Sequence, residues 1–376
     1  MKQEGERTFV TLVLALAAAT VLWLVLLHSG QNYQEQYNLH LAAQPVHLAA
    51  EGSPDDPMPL YYLLLHGYTA MLGNISLYAA RSLSLIFLLL SVLAAFVVGR
   101  RMSGEPAVGR LAAILLAVSP FIIWYNSRAT MYGLLLLVGL INQYFFDAIL
   151  QRARSRDWVG YALTGLLGLG VHYFFAVILL LQLIFFLVKF HQYESERLWL
   201  LVGCQVLFAV AFLLWLHYSL AHSIFWHYLP FTGKPSATNA FILYVQFIFG
   251  FQSVLTTTLI IAFWPLLVVL GLLAIQKYVR PNVGVQYALW AGLTPMITMF
   301  IAAWIGIKPL FLTSYLSVAA APFLLFIAWY LVAFQLKTLA IARAFLIAVM
   351  IGAFFVQLNN QPLALQQDYL GQATNQ

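Results

Sequence analysis

Long apolar segments follow one another along almost the whole chain, separated by short stretches that carry the charges. The first covers residues 8–28, long enough to cross a ~30 Å hydrocarbon core at about 1.5 Å rise per residue. Only 8% of the 376 residues are charged and 63% are hydrophobic, whereas a soluble domain is about 45–50% apolar. Lipid must therefore replace water around much of the surface. The sequence predicts an all-α polytopic membrane protein.

We expect about eleven transmembrane helices. The first segment could also be a signal peptide, but it exceeds the usual length of about 7–15 apolar residues and no clear cleavage site follows it. We therefore interpret it as an uncleaved span. The other expected spans are residues 78–99, 111–125, 131–150, 158–170, 173–190, 198–220, 255–276, 286–305, 309–335 and 340–357.

Lysine and arginine are distributed unevenly between alternate loops. With a cytoplasmic N-terminus, most of the 18 basic residues lie on the cytoplasmic side, as the positive-inside rule requires. The exceptions are Arg81, Arg128, Lys234 and Lys308. This bias predicts that the N-terminus is cytoplasmic and the C-terminus outside. We expect the protein in a bacterial inner membrane or plasma membrane. The net charge of +6 comes from these loops and not from a basic patch with exposed aromatics, so we expect no nucleic-acid partner.

The spans predict one transmembrane domain, residues 1–357. The segments expected outside are a first loop at 29–76, a second loop at 221–253 and a C-terminal tail at 358–376. The first loop is predicted to contain two interfacial helices, one within 37–50 and one at 59–73, which is too short to span. The second of these helices carries Tyr61, Tyr62 and Tyr68, which we expect at the level of the lipid headgroups.

Acidic residues gather in the first outward loop. Glu35, Asp55 and Asp56 could act as general bases or hold a divalent cation through oxygen ligands; a solvated loop with turn-forming aspartates explains them equally. On the same side, Arg128 has the chemistry to bind a phosphate or a carboxylate, although an arginine at a helix end can also simply extend its charge to the interface. No zinc-protease motif, phosphate loop or dinucleotide motif is present, so the residues define no cofactor.

Four stretches, in order along the chain, carry a resemblance to a known superfamily. They are 33–39 (YQEQYNL), 55–62 (DDPMPLYY), 81–84 with 99–101 (RSLS and GRR), and Ser119-Pro120 with 124–132 (WYNSRATMY). Together they resemble the GT-C membrane glycosyltransferases, specifically protein O-mannosyltransferases and bacterial aminoarabinose transferases of lipid A. The resemblance covers residues 8–200 well and the remainder loosely.

The resemblance implies a polyprenyl-phosphate sugar donor, bound from the outer leaflet, and two interfacial helices in the first outward loop. Such chemistry needs a base for the acceptor and cations for the departing phosphate. The candidate catalytic residues are Glu35, Asp55 and Asp56. The candidate donor-phosphate residues are Arg128, Lys308, Arg81 and Tyr62.

The chain departs from the family pattern at charged and titratable positions. The aspartate of the family's Asp-Glu pair, its base, is Gln34 here, and Glu35 keeps only the second acid. The family's histidine before its prolines is Pro57. Its glutamate and arginine in the motif at 124–132 are Arg128 and Thr130, and a later arginine is Ser314. The hydrophobic and aromatic framework residues match the family pattern, whereas these charged and titratable residues differ from it.

Two functions are consistent with this pattern. The first is a glycosyltransferase that takes a hexosyl or pentosyl group from a polyprenyl-phosphate donor at the outer face, with Glu35 or Asp55 replacing the lost aspartate. The second is a catalytically inactive subunit or lipid-binding scaffold, with partner membrane subunits. A transporter would require an internal repeat, and the sequence shows none.

Overall fold

The computed structural model describes residues 2–46, 58–221, 235–252, 281–305, 313–333 and 337–359. Within these ranges the chain is α-helical, with two short 3₁₀ turns and no β-strand. The α-helices are α1 (Lys2–Leu27), α2 (Tyr33–Ala43), α3 (Pro59–Leu72), α4 (Leu77–Ser103), α5 (Pro106–Val118), α6 (Pro120–Asn126), α7 (Tyr132–Gln151), α8 (Ser155–Val171), α9 (Phe175–Val188), α10 (Ser195–Ala221), α11 (Ala237–Phe249), α12 (Val283–Trp304), α13 (Ser317–Ala333) and α14 (Lys337–Asn359).

Long apolar helices confirm the predicted polytopic membrane protein. Among the described residues, seven helices are long and apolar enough to cross a membrane, and the bent pair α5–α6 would make eight. The predicted spans 158–170 and 173–190 correspond to α8 and α9, which have 17 and 14 residues. The predicted span 255–276 lies outside the described residues, so the count of eleven stays a prediction.

The bend between α5 and α6 has a local cause. Ser119 precedes Pro120, and a residue before proline is restricted to extended backbone angles. Ser119 accordingly has φ −66° and ψ 116°, and α5 ends at Val118. The Ser119 hydroxyl then accepts a hydrogen bond from the Ile122 amide in the first turn of α6. The two helices meet at an angle of 60°.

The chain divides into two compact units, and the first contains α2, α3 and α7–α10, with the end of α1 and the beginning of α4. In this unit α8 packs closely on α3, α7, α9 and α10. Three of its glycines leave room for phenylalanine rings: Gly160 for Phe145 of α7, Gly165 for Phe208 of α10, and Gly168 for Phe175 of α9. A side chain larger than hydrogen would overlap each ring.

Buried polar side chains also connect α7–α10. Tyr161 of α8 donates to Oε1 of Gln182 on α9 at 2.9 Å and accepts from Nε2 of Gln205 on α10 at 3.1 Å. Nε2 of Gln182 donates to Oδ1 of Asn142 on α7 at 2.8 Å. The network is neutral, and it supplies hydrogen-bond partners to amides that lipid could not satisfy.

The second unit contains α5, α11–α14, the beginning of α1 and the end of α4. Gly250 follows α11 with φ 65° and ψ −155°, a conformation open only to glycine. The amide of the next residue, Phe251, donates to Oε1 of Gln357 on α14 at 3.0 Å. Ser119 donates to the carbonyl of Phe247 at 3.0 Å. Side chains therefore satisfy the backbone where α11 ends.

The two helices predicted in the first outward loop are present, with a shifted start. The first was predicted through 37–50, whereas α2 begins at Tyr33, because Asn32 caps it, and ends at Ala43. Helix α3 (Pro59–Leu72) corresponds to the predicted segment 59–73. Tyr61 and Tyr62 are buried within the protein, and Tyr68 hydrogen-bonds to Ser82 at 2.9 Å. These tyrosines therefore pack in the protein, and the interfacial position of both helices stays a prediction.

Candidate active site

Glu35 is the acid on which the candidate site is built, and its place follows from a capping box. Oδ1 of Asn32 accepts from the Glu35 amide at 2.8 Å, and Oε2 of Glu35 accepts from the Asn32 amide at 3.3 Å. This reciprocal pair starts α2 and directs the carboxylate back over the helix N-terminus. The side chain is fully buried.

Arg81 of α4 forms a two-point ion pair with this carboxylate. Its Nε and Nη2 atoms lie 2.8 Å from Oε1 and Oε2 of Glu35, respectively. Nη1 donates to the carbonyls of Leu27 and Ser29 at 2.6 and 3.0 Å, and Nη2 also donates to Gly30 at 3.4 Å. All five N–H groups of the guanidinium thus have acceptors, at the end of α1, in the loop that follows it and on α2.

Arg128 brings a second guanidinium to the same carboxylate. It lies in the break between α6 and α7, is almost fully buried, and places Nη1 at 3.2 Å from Oε2 of Glu35. The same Nη1 donates to the carbonyl of Gly30, which therefore accepts from both arginines. The two arginines and one glutamate, which we call the Glu35 cluster, occupy one buried site.

Side chains from three helices fix the backbone of the break that carries Arg128. The Ala129 amide donates to Oε1 of Glu35 at 2.9 Å. Nδ2 of Asn38 donates to the Ala129 carbonyl at 2.8 Å, and the Ser84 hydroxyl donates to the Arg128 carbonyl at 2.7 Å. Nε1 of Trp23 donates to the carbonyl of Asn126 at 3.1 Å. The break is therefore a fixed loop whose backbone groups are satisfied by side chains.

The protonation state of Glu35 follows from these contacts. Burial alone would raise its pKa, but the hydrogen bond from Arg81, the charges of Arg128 and Arg81 and the Ala129 amide together outweigh burial. The pKa of Glu35 is therefore held below its usual range, and the side chain is a carboxylate at neutral pH. To accept a proton it would first have to give up one of these stabilising contacts.

The structure brings together three of the predicted site residues: Glu35, Arg81 and Arg128. Tyr62 of α3 is buried with its ring 5.5 Å from that of Tyr61. Asp55, Asp56 and Lys308 lie outside the described residues. Gln34, which stands where the family has its aspartate, places Nε2 at 3.7 Å from the sulfur of Met131.

Sequence reasoning missed the residues that support the cluster. The role of Asn32 could have been predicted, because an asparagine three residues before a glutamate has the spacing of a capping box. Trp23, Asn38 and Ser84 had none, since each reaches a backbone carbonyl 44 to 103 residues away in the chain. Only the fold brings them to the break between α6 and α7.

The acidic side chains of the described residues do not form a metal site. Within the described ranges, no group of three or more histidine, cysteine, aspartate or glutamate side chains could hold a metal ion. The Glu35 carboxylate is occupied by cationic donors, which compete with a metal for the same oxygens. The divalent cation suggested by the acidic loop therefore concerns Asp55 and Asp56, outside the described residues.

Comparison with solved structures gives extensive matches. ArnT from Cupriavidus metallidurans, in a crystal structure bound to undecaprenyl phosphate, matches with a TM-score of 0.58 at 15% identity, over 96% of this chain and 76% of that one. Its apo structure matches with a TM-score of 0.59. The apo oligosaccharyltransferase of Archaeoglobus fulgidus matches with a TM-score of 0.55 at 13% identity, over 97% of this chain and 56% of that one.

The chain has the GT-C fold. In addition, residues 55–218 match the model of the dolichyl-phosphate-mannose-protein mannosyltransferase family. No curated protein sequence matches. The resemblance to GT-C membrane glycosyltransferases is thus confirmed. The family match begins at Asp55 and includes Arg81 and Arg128, so two of the three members of the Glu35 cluster lie within the matched part of this GT-C chain.

Proposed function

We propose that the chain is a GT-C glycosyltransferase that takes a sugar from a polyprenyl-phosphate donor at the outer face of the membrane. The observation that carries the proposal is the fold, shared over 96% of the chain with a protein whose structure holds undecaprenyl phosphate. A lipid-linked donor also suits a chain built largely from apolar helices, because the prenyl tail remains in the bilayer while the phosphate meets the polar site.

Arg128 is the proposed contact for the donor phosphate, with Lys308 and Tyr62. A guanidinium binds phosphate through parallel hydrogen bonds, and the buried position of Arg128 strengthens its electrostatic attraction. Among the described residues, two buried atoms, Oδ1 of Asn38 and Oγ1 of Thr130, have no hydrogen-bond partner. Groups of this kind require a ligand or a water molecule, so they support a polar ligand beside Arg128.

In this proposal Arg81 and Glu35 hold neighbouring protein groups in place and do not contact the donor. All five donors of Arg81 already have protein acceptors. Asp55 and Asp56 are therefore the acids that we propose for the acceptor. An aspartate there would deprotonate or orient the attacking hydroxyl, while Arg128 and Lys308 stabilise the negative charge on the departing phosphate.

Binding and turnover in lipid nanodiscs test this proposal. Purified protein should bind undecaprenyl phosphate and release it from an undecaprenyl-phospho-sugar. Arg128→Met should weaken binding, and the paired change Asp55→Asn with Asp56→Asn should abolish turnover with binding retained. Arg110→Met is the matched control, because Arg110 forms an exposed pair with Glu4 at 2.6 Å. Absence of binding by the unaltered chain would refute the proposal.

A second function, a lipid-binding subunit without catalysis, is favoured by one observation. Gln34 stands where the family has its catalytic aspartate, and the remaining acid, Glu35, is engaged by two arginines. Such a protein would bind undecaprenyl phosphate, would copurify with partner membrane subunits, and would turn over no donor. Sugar transfer or donor hydrolysis by the purified chain excludes this second function.

A further inference from the structure

The break between α6 and α7 is unusual in how many distant groups hold it. A carboxylate from α2, an amide from α2, a hydroxyl from α4 and an indole from α1 all bind its backbone, at distances of 2.7–3.1 Å. Five donors converge on the Glu35 carboxylate: two from Arg81, one from Arg128, and the amides of Ala129 and Asn32. A carboxylate offers about four lone-pair directions, so this one is fully engaged.

The two carboxylate oxygens of Glu35 bind different groups near Arg128. Oε1 accepts from Nε of Arg81 and from the Ala129 amide, and it therefore orients the backbone beside Arg128. Oε2 accepts from Nη2 of Arg81 and from Nη1 of Arg128, and it therefore orients the guanidinium itself. Arg81 does not bind Arg128 directly; it holds the carboxylate that does.

We infer that Glu35 and Arg81 are positioning residues, which together with Asn38 and Ser84 set the position of the Arg128 guanidinium for the donor phosphate. The inference rests on the proposed function, since it assigns the phosphate to Arg128. It differs from a role for Glu35 as proton acceptor, because a positioning pair acts on donor binding. A guanidinium that is displaced and loses one hydrogen bond to the phosphate should bind the donor about 10- to 100-fold more weakly, the usual contribution of a hydrogen bond to a charged group.

The decisive measurement is the dissociation constant for undecaprenyl phosphate in nanodiscs, combined with KM and kcat for its glycosylated form. Glu35→Gln and Arg81→Met should each raise the dissociation constant and KM together, by about 10- to 100-fold. The double variant should be no worse than either single variant, because the two residues act as one unit. The same changes at the exposed pair, Glu4→Gln and Arg110→Met, should leave the dissociation constant within about twofold.

Amide hydrogen exchange provides a second measurement that requires no ligand. The Ala129 amide should exchange faster in Glu35→Gln and Arg81→Met, while amides in the middle of α7 keep their protection. Asn38→Leu keeps a similar side-chain volume and removes the donor to the Ala129 carbonyl without adding a buried charge. It should produce a smaller effect of the same kind, and this variant serves if the ion-pair variants fold poorly.

Three results would overturn the inference. A Glu35→Gln variant that keeps its dissociation constant and loses only kcat would identify Glu35 as the proton acceptor. Variants that lose stability alone, with unchanged affinity for undecaprenyl phosphate, would reduce the pair to a structural contact. Unchanged exchange at Ala129 would also contradict it. If the unaltered chain binds no undecaprenyl phosphate, the proposed function fails, and the exchange of Ala129 then decides whether the pair positions the break.

Discussion

Nη1 of Arg81 lies 2.6 Å from the carbonyl oxygen of Leu27, the last residue of α1. A helix leaves its final carbonyls without partners, and a cationic side chain at that end satisfies them and complements the helix dipole. Because the same guanidinium binds Glu35 on α2, one side chain of α4 connects the end of one helix to the start of the next. Replacement of Arg81 should therefore destabilise both the end of α1 and the start of α2.

Arg81→Lys should destabilise the protein although the charge is kept. A lysine ammonium has three donors on a flexible stem and cannot reproduce the five-donor fork. We expect a loss of about 1–3 kcal/mol, the cost of leaving buried polar groups unsatisfied. Unfolding in a denaturing detergent measures it. Arg110→Lys, at an exposed pair, is the control and should change stability by less than about 0.5 kcal/mol.

The stabilising effect of Glu35 should depend on pH. Its pKa is lower in the folded protein than its ordinary value of 4.5, so its contribution is complete above that value and is lost as the pH falls through the lowered folded pKa. The unfolding midpoint of the unaltered protein should therefore exceed that of Glu35→Gln at pH 6–7. The difference should shrink below about pH 4.5. A difference that stays constant down to pH 3 would contradict the ion pair.

Gly250→Ala should destabilise the second unit. The glycine has φ 65° and ψ −155°, and an added Cβ would overlap Oε1 of Gln357 and lie 2.7 Å from Cβ of Pro120. Strain at such a position costs about 1–3 kcal/mol before the overlap is counted. Gly352→Ala in α14 is the control, because a Cβ there meets no atom within 4 Å. It should be neutral or stabilising by up to about 1 kcal/mol.

Tyr161→Phe should weaken the association of α8 with α9 and α10, although the aromatic ring at position 161 keeps its shape. It removes the hydroxyl that donates to Gln182 and accepts from Gln205. Polar contacts between membrane helices contribute about 0.5–2 kcal/mol, and we expect a loss in that range. Tyr78→Phe is the control, since Tyr78 is exposed and its hydroxyl hydrogen-bonds to Nδ1 of the exposed His28 at 3.3 Å. Equal losses in both variants would argue against the network.

Some local features were predictable because their causes are local. Apolar length predicted the long spans. The expected span 111–125 did not include the break after Ser119, although its cause, Pro120, is local. Helix α2 begins one turn earlier than predicted, because Asn32 and Glu35 form a capping box at its start. Tyr61 and Tyr62 were expected at the headgroups, since aromatic side chains on a short helix favour that depth. Their burial depends on neighbours that are distant in sequence.

The sequence identified the three residues of the Glu35 cluster as site candidates, but it did not predict the contacts between them. Glu35, Arg81 and Arg128 were each identified as candidates, but as an acid and two phosphate-binding cations with separate tasks. The sequence carried no sign that they bind one another, because 46 and 93 residues separate Glu35 from the two arginines. An arginine that faces a phosphate and an arginine that caps a helix look the same in a sequence.

The sequence by itself determined that the protein lies in a lipid bilayer and that its fold is helical. Apolar segments this long, with so few charges between them, can satisfy their backbone in lipid only as helices, whatever their packing. Only the tertiary structure decided what Glu35 does. Its carboxylate is surrounded by two guanidiniums and two amides, so it holds the break at Arg128 in place, and that role exists only where the ends of α1, α2 and α6 meet.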